Sequence, residues 1–220
     1  MPMPKALILA GDHYHVAADA FTGVGEVVLG EGLFVEYTDD QDTLDADMLA
    51  DKDMLVILRD GIEFPDGADK EPVRWMRPDQ EQAIEQFVLN GGGFLALHNA
   101  GWNYPHEGGY RRTLAAYYIG HPPMAEFHVE VVNPAHPITQ GVASYDITDE
   151  QHWLYFDYDR VEVLTVSKGQ DGKQSVAGYA HEYGQGRVAY LGQGHTLEII
   201  RHPMVQKLLR QATRWVLHRT

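Results

Sequence analysis

Runs of four or five apolar residues alternate with helical patterns through the first hundred positions. Lys5–Ala10 is aliphatic and ends in Gly11-Asp12-His13, which predicts a buried strand and a turn. Val16, Ala17, Ala20, Phe21, Val24 and Val27-Val28 recur at helical spacing, and Gly30 and Gly32 stop the helix. Leu33–Tyr37 reads as a second strand. The acidic stretch Glu36–Asp53 reads as a solvated connection with a short helix at Ala46–Ala50. Met54–Leu58 is a third strand. The loop from Arg59 to Arg77 is long enough to suggest a functional loop or lid. Pro78 opens a helix that Gly91-Gly92-Gly93 ends, and Phe94–Leu97 runs as a fourth strand straight into His98-Asn99-Ala100-Gly101. This β-α order predicts a parallel sheet covered on both faces, with ligands beyond the carboxyl ends of its strands. Asp12-His13, Arg59-Asp60 and His98-Asn99 then share one rim.

The second half has another rhythm. Tyr110–Tyr118 reads as helix. Phe127–Val132, Trp153–Tyr158, Val161–Lys168, Ser175–Glu182 and Arg187–Leu191 read as strands, with Gly184-Gln185-Gly186 a hairpin turn between the last two. Asp146, Asp149 and Glu150 read as an acidic cluster, either a catalytic carboxylate group or a turn. A final helix spans about Pro203 to Leu217. No repeat or domain-sized linker divides the chain, so positions 1–220 are expected to form a single domain.

Composition narrows the class. Seventeen basic against 32 acidic residues give a formal charge of −15, which argues against nucleic acid or an anionic membrane as partner. The absence of cysteine removes disulfides, thiolate metal sites and a cysteine nucleophile. No targeting segment or membrane-length apolar run is visible, so a cytoplasmic setting is expected. A homo-oligomer is an open expectation.

Twelve histidines are the chemical signal. His98 follows a buried strand at a sharp small-residue turn, where it can act as general base, metal ligand or donor to substrate. His195 stands three positions before Glu198, close enough to pair on a helical turn and do acid–base work. His13 is a rim candidate, His121 lies in a rigid Gly-His-Pro-Pro turn, and His128 lies on a strand. No local metal motif is present. A divalent metal, if bound, would need a site assembled from distant segments, with His98, His121, His128 or His195 as ligands. Trp102, Tyr104, Tyr110, Tyr117 and Tyr118 follow the turn, and such rings suit flat, hydroxyl-rich ligands or core packing. No Walker loop, Rossmann glycine pattern or Gly-x-Ser-x-Gly elbow is present.

One ordered series carries a family resemblance. It runs Gly91-Gly92-Gly93-Phe94-Leu95-Ala96-Leu97-His98-Asn99-Ala100, Tyr110-Arg111, Ile119-Gly120-His121-Pro122, Phe127-His128-Val129-Glu130-Val131, Asn133–Gly141, Ile147-Thr148-Asp149-Glu150, Tyr183–Val188 and Leu191–Thr196. In this order, across nearly the whole chain, it resembles the ThuA-like (trehalose utilisation) proteins. The resemblance implies a flavodoxin-like sheet similar to class I glutamine amidotransferases, with helices on both faces and extra strands in the second half. His98-Asn99 stands where an amidotransferase holds its cysteine nucleophile, so covalent glutamine hydrolysis is excluded. His195 and Glu198 look like the counterpart of the amidotransferase histidine and glutamate. One departure is local: Gln151-His152-Trp153 replaces the aliphatic-aromatic pair that usually follows Asp-Glu.

The resemblance implies a sugar or keto-sugar ligand in disaccharide catabolism. The expected enzyme would be a hydrolase, lyase or isomerase, with His98, His195, Glu198 and Glu150 catalytic. Asn99, Trp102, Tyr110, His121, His128, Asp149 and His13 would contact substrate. A non-catalytic sugar-binding or regulatory protein and a metal-dependent hydrolase are the alternatives.

Overall fold

The computed structural model describes residues 3–219. Its centre is one nine-stranded sheet. The parallel half consists of β1 (Lys5–Ala10), β2 (Phe34–Thr38), β3 (Met54–Leu58), β6 (Gly93–Leu97) and β13 (Gly186–Leu191), in the spatial order β2-β1-β3-β6-β13. That is the order of doubly wound sheets, whose direction of winding reverses between β1 and β3. The antiparallel half continues through β12 (Gln174–Tyr183), β11 (Glu162–Gly169), β8 (Ala125–Val131) and β9 (Tyr145–Asp149).

The apolar runs explain the parallel half. Alternate residues of β1 enter separate cores: Ala6, Ile8 and Ala10 on one face, Leu7 and Leu9 on the other. The first core is closed by α1 (Ala17–Gly30) and α6 (Pro203–Val216), through Val24, Val28, Leu208 and Leu209. The second is closed by α3 (Pro78–Leu89), through Ile84 and Val88, together with Tyr110 and Leu114 of α4 (Gly109–Leu114). Pro78 and Pro203 occupy the first turns of α3 and α6, where a missing N–H costs nothing. Between β2 and β3 lies the short helix α2 (Ala46–Leu49). The expected loop from Arg59 to Arg77 carries a small antiparallel pair, β4 (Ile62–Glu63) with β5 (Val73–Arg74).

One expectation needs correction. Tyr110–Tyr118 is not one helix. Ala115 takes the left-handed conformation with φ at 60°, which ends α4, and the chain continues as β7 (Ala116–Gly120) paired with β10 (Trp153–Phe156). Of the acidic cluster left open between a catalytic group and a turn, Asp146 and Asp149 lie on β9, where Tyr145, Ile147 and Asp149 are buried and Asp146 and Thr148 exposed, and Glu150 follows the strand. The hairpin at Gly184 is present, with φ at 63°. No helix among the described residues is long and apolar enough to cross a membrane.

Candidate functional site

Four strand ends deliver side chains to one rim. Beyond β1, Gly11 turns with φ at 96° and lies so close to Ala17 that a Cβ would meet it at 2.6 Å. The turn places Asp12 three residues before His15. Oδ1 of Asp12 accepts from the N–H groups of Tyr14 (2.8 Å) and His15 (3.0 Å) and lies 2.8 Å from Nδ1 of His15. Oδ2 accepts from the N–H of Asp60 (3.0 Å), beyond β3, and from Nδ2 of Asn99 (2.6 Å), beyond β6. One carboxylate therefore ties three strand ends together. Burial pushes its pKa up, but the hydrogen bonds and the His15 ring prevail and hold it down at about 2.

The turn after β6 is a single 3-10 turn, His98–Gly101, and His98 sits in the left-handed region with φ at 48°. Such backbone in a residue with a Cβ costs on the order of 1–2 kcal/mol and persists only where its surroundings fix it. Here the His98 carbonyl accepts from the Tyr190 hydroxyl (2.7 Å) and faces Nδ1 of His152 (3.2 Å), and Nδ1 of His98 meets the Gly192 carbonyl at 2.9 Å. Gly194 lies against the elbow, where a Cβ would come within 3.2 Å of the His98 Cβ, and its N–H donates to Oδ2 of buried Asp149 (3.0 Å).

These supports converge four imidazoles on Glu150. Its Oε2 lies 3.3 Å from Nε2 of His152, 3.4 Å from Nδ1 of His195 and 3.5 Å from Nε2 of His98. Nε2 of His121 follows at 3.9 Å. Burial opposes its ionisation, but the surrounding rings hold the Glu150 carboxyl far below the ordinary range. Burial lowers His15 and takes His152 down to about 3. At His98 burial also acts downward, yet the Asp149 and Glu150 carboxylates outweigh it and raise the ring. Burial raises buried Asp149 and, with the charge of Asp12, pushes Asp60 up to about 7. Neutral and charged groups thus stand side by side, the condition for proton transfer near neutral pH.

Aromatic rings wall the approach. Tyr14 stacks on Trp102 with centroids 5.4 Å apart, Trp102 lies 5.2 Å from Tyr118, and Tyr118 lies 5.1 Å from His152. Tyr14 is exposed, and Trp102 and Tyr118 are half-buried, so their rings remain available to a ligand. A groove between α2 and α3, lined by Ala46, Leu49, Ala83 and Phe87, lies beside Gly92, at the opposite ends of the strands from the rim.

Comparison with known proteins gives the chain a family. The family described as "ThuA: Trehalose utilisation" matches residues 5–216. The chain belongs to the ThuA family. Solved structures of ThuA-like proteins share the fold. One from Bacteroides uniformis has 23% identity and a TM-score of 0.75, covering 98% of this chain and 91% of that one. One from Parabacteroides merdae has 14% identity and a TM-score of 0.76, with 99% and 90% covered. A structure titled a cytoplasmic protein from Salmonella typhimurium has 14% identity and a TM-score of 0.67, with 97% and 99% covered. No curated protein matches the sequence.

The rim brings together His98, His195 and Glu150, with Asn99, His121 and Trp102 around them. It does not bring Glu198 to His195. Thr196 caps the short helix α5 (Leu197–Ile200), so His195 lies before the helix and the helical three-residue spacing does not apply; Glu198 is exposed in the first turn. Glu150 is the carboxylate beside His195 instead. His128 lies away on β8, between inward Phe127 and Val129, with Asp146 at 2.7 Å from its Nδ1. Tyr110 is fully buried under the elbow and donates to the Ala100 carbonyl at 2.6 Å. Asp149 is also fully buried, behind the rim. His13 is exposed on the outer lip against Tyr14 and Phe64.

Sequence reasoning missed two rings of this candidate site, His15 and His152. The three-residue step from Asp12 to His15, and the two-residue step from Glu150 to His152 along extended chain, were the available signals.

Proposed function

We propose that this ThuA-family protein is a cytoplasmic enzyme of sugar utilisation, acting on a sugar or keto-sugar from a disaccharide. Its reaction moves a proton next to a carbonyl, as in isomerisation or elimination, or hydrolyses a glycosidic link. The observation that carries the reading is the convergence of His98, His121, His152 and His195 on Glu150 at the rim, with His15 against His195, beside the Tyr14–Trp102–Tyr118 wall. A protein that only binds sugar gains nothing from buried groups of opposite protonation state. Such groups cost stability and are maintained where protons move. The aromatic wall suits the apolar face of a sugar ring, and the family's link to trehalose utilisation agrees with that ligand class.

The test is a panel of disaccharides, their monosaccharides and the corresponding keto-sugars, incubated in deuterated water and followed by NMR. A keto-sugar is expected to take up deuterium beside its carbonyl or to be converted to product. Saturable binding across the panel with neither exchange nor conversion would replace this reading by a sugar-binding protein.

A further inference from the structure

We propose that the rim holds one divalent first-row transition-metal ion, ligated by Nε2 of His15, Nε2 of His98, Nδ1 of His195 and Oε2 of Glu150. The inference concerns the same cleft as the sugar reading and names a component that reading does not require.

The four atoms come from four separate segments and all lie within 4.8 Å of one another. Four of their separations are 3.1 Å (His15–His195), 3.4 Å (His98–His195), 3.4 Å (His195–Glu150) and 3.5 Å (His98–Glu150). Nitrogen and oxygen ligands about 2.1 Å from a tetrahedral ion stand about 3.4 Å apart. The site is therefore near metal-bound dimensions as it stands.

Hydrogen bonding shows why a proton alone serves the cluster poorly. Nδ1 of His15 faces the Asp12 carboxylate, and Nδ1 of His98 faces the Gly192 carbonyl. Both partners are acceptors, so both Nδ1 atoms carry hydrogen, and a ring without a second proton turns its Nε2 lone pair inward. Both lone pairs point at Nδ1 of His195, which can donate one hydrogen to one of them. The Glu150 oxygen adds further electron density at the same place. One hydrogen satisfies a single edge of this figure, whereas a dication satisfies every corner.

The outer contacts complete the case. Asp12 on His15 and a backbone carbonyl on His98 are the partners that orient metal-bound imidazoles. Asp12 is itself fixed by Asn99 and the Asp60 N–H. Three imidazoles and one carboxylate suit zinc, manganese, iron or cobalt. Magnesium and calcium prefer oxygen.

The experiment uses the full chain with any affinity tag removed, dialysed and analysed for metals. About one equivalent of a single transition metal per chain is expected. His15→Ala and the near-isosteric Glu150→Gln should each lower it at least about tenfold. His128→Ala, remote from the rim, should retain it. Chelator-treated protein reloaded with Co(II) should show the intense visible absorption of a tetrahedral site, lost in Glu150→Gln. Trace metal in the wild-type chain together with no Co(II) absorption on reloading would overturn the proposal. Equal metal in the wild-type chain and both rim variants would overturn it too. Metal binding without turnover of any sugar would support this site and count against the sugar reading. Full sugar turnover in chelator-treated protein that also takes up no Co(II) on reloading would support the sugar reading and overturn the metal.

Discussion

Glu150→Gln is expected to lower kcat/KM for the keto-sugar by between about 100- and 10,000-fold, the range for losing a principal acid–base or charge-stabilising group. The substitution keeps the side chain's size and removes its charge. In the native protein that charge sits within 3.5 Å of three imidazole nitrogens. After Asp149 it raises the pKa of the His98 ring, and it is a corner of the proposed metal site. Both roles end with the amide. Glu198→Gln is the matched comparison, and near-wild-type turnover is expected because Glu198 is exposed and lies past the cap of its helix. Steady-state kinetics on the two variants decides the matter. Glu150→Gln retaining activity within about threefold of wild type would remove Glu150 from the reaction centre.

Asp60→Asn is expected to stabilise the protein, and more so at pH 8 than at pH 5. The Asp60 carboxyl is buried beside ionised Asp12, and one of its oxygens, Oδ2, has no hydrogen-bond partner. Its pKa rises from 3.8 to about 7 on folding. The sign follows from proton counts. Between these two values the folded chain holds a proton that the unfolded chain has released, so stability falls as pH rises through this window. The accumulated cost is on the order of 4 kcal/mol by pH 8 and about 1–2 kcal/mol at pH 5. Asparagine cannot ionise and keeps an oxygen for the Ile62 N–H, which Oδ1 now accepts at 2.6 Å. The variant's advantage in urea unfolding should therefore grow by roughly 2–3 kcal/mol between pH 5 and pH 8, measured with chelator present. An advantage independent of pH would show that Asp60 ionises normally in the fold.

The parallel half of the fold could be read from the sequence because its strands are buried on both faces. Ala6–Ala10, Met54–Leu58 and Phe94–Leu97 are continuous apolar runs, and only a covered sheet uses them. The antiparallel half was harder. Tyr110–Tyr118 carries apolar residues at spacings that suit a helix, and the left-handed Ala115 that divides it has no sequence mark. In β9 exposed Asp146 and Thr148 alternate with buried Tyr145, Ile147 and Asp149, so a charge count left a turn open where the alternation indicates a strand.

The site divides along similar lines. His98 stands directly after a buried strand and Asn99 beside it, so topology alone places them at the rim. His15 lies five residues past the end of β1 and returns to the rim only because Asp12 closes a turn around it. Glu150 and His152 follow β9, an antiparallel strand four places from β13 in the sheet, and no rule for parallel strand ends reaches them. The pairing expected of His195 with Glu198 assumed a helix one residue too early.

Chemistry at this rim is tested most directly by a crystal structure of Glu150→Gln soaked with the keto-sugar that wild type turns over best. The sugar ring is expected against Trp102, with a carbonyl or hydroxyl oxygen directed at His98 and His195. A sugar bound instead in the groove between α2 and α3, with the rim empty, would contradict it.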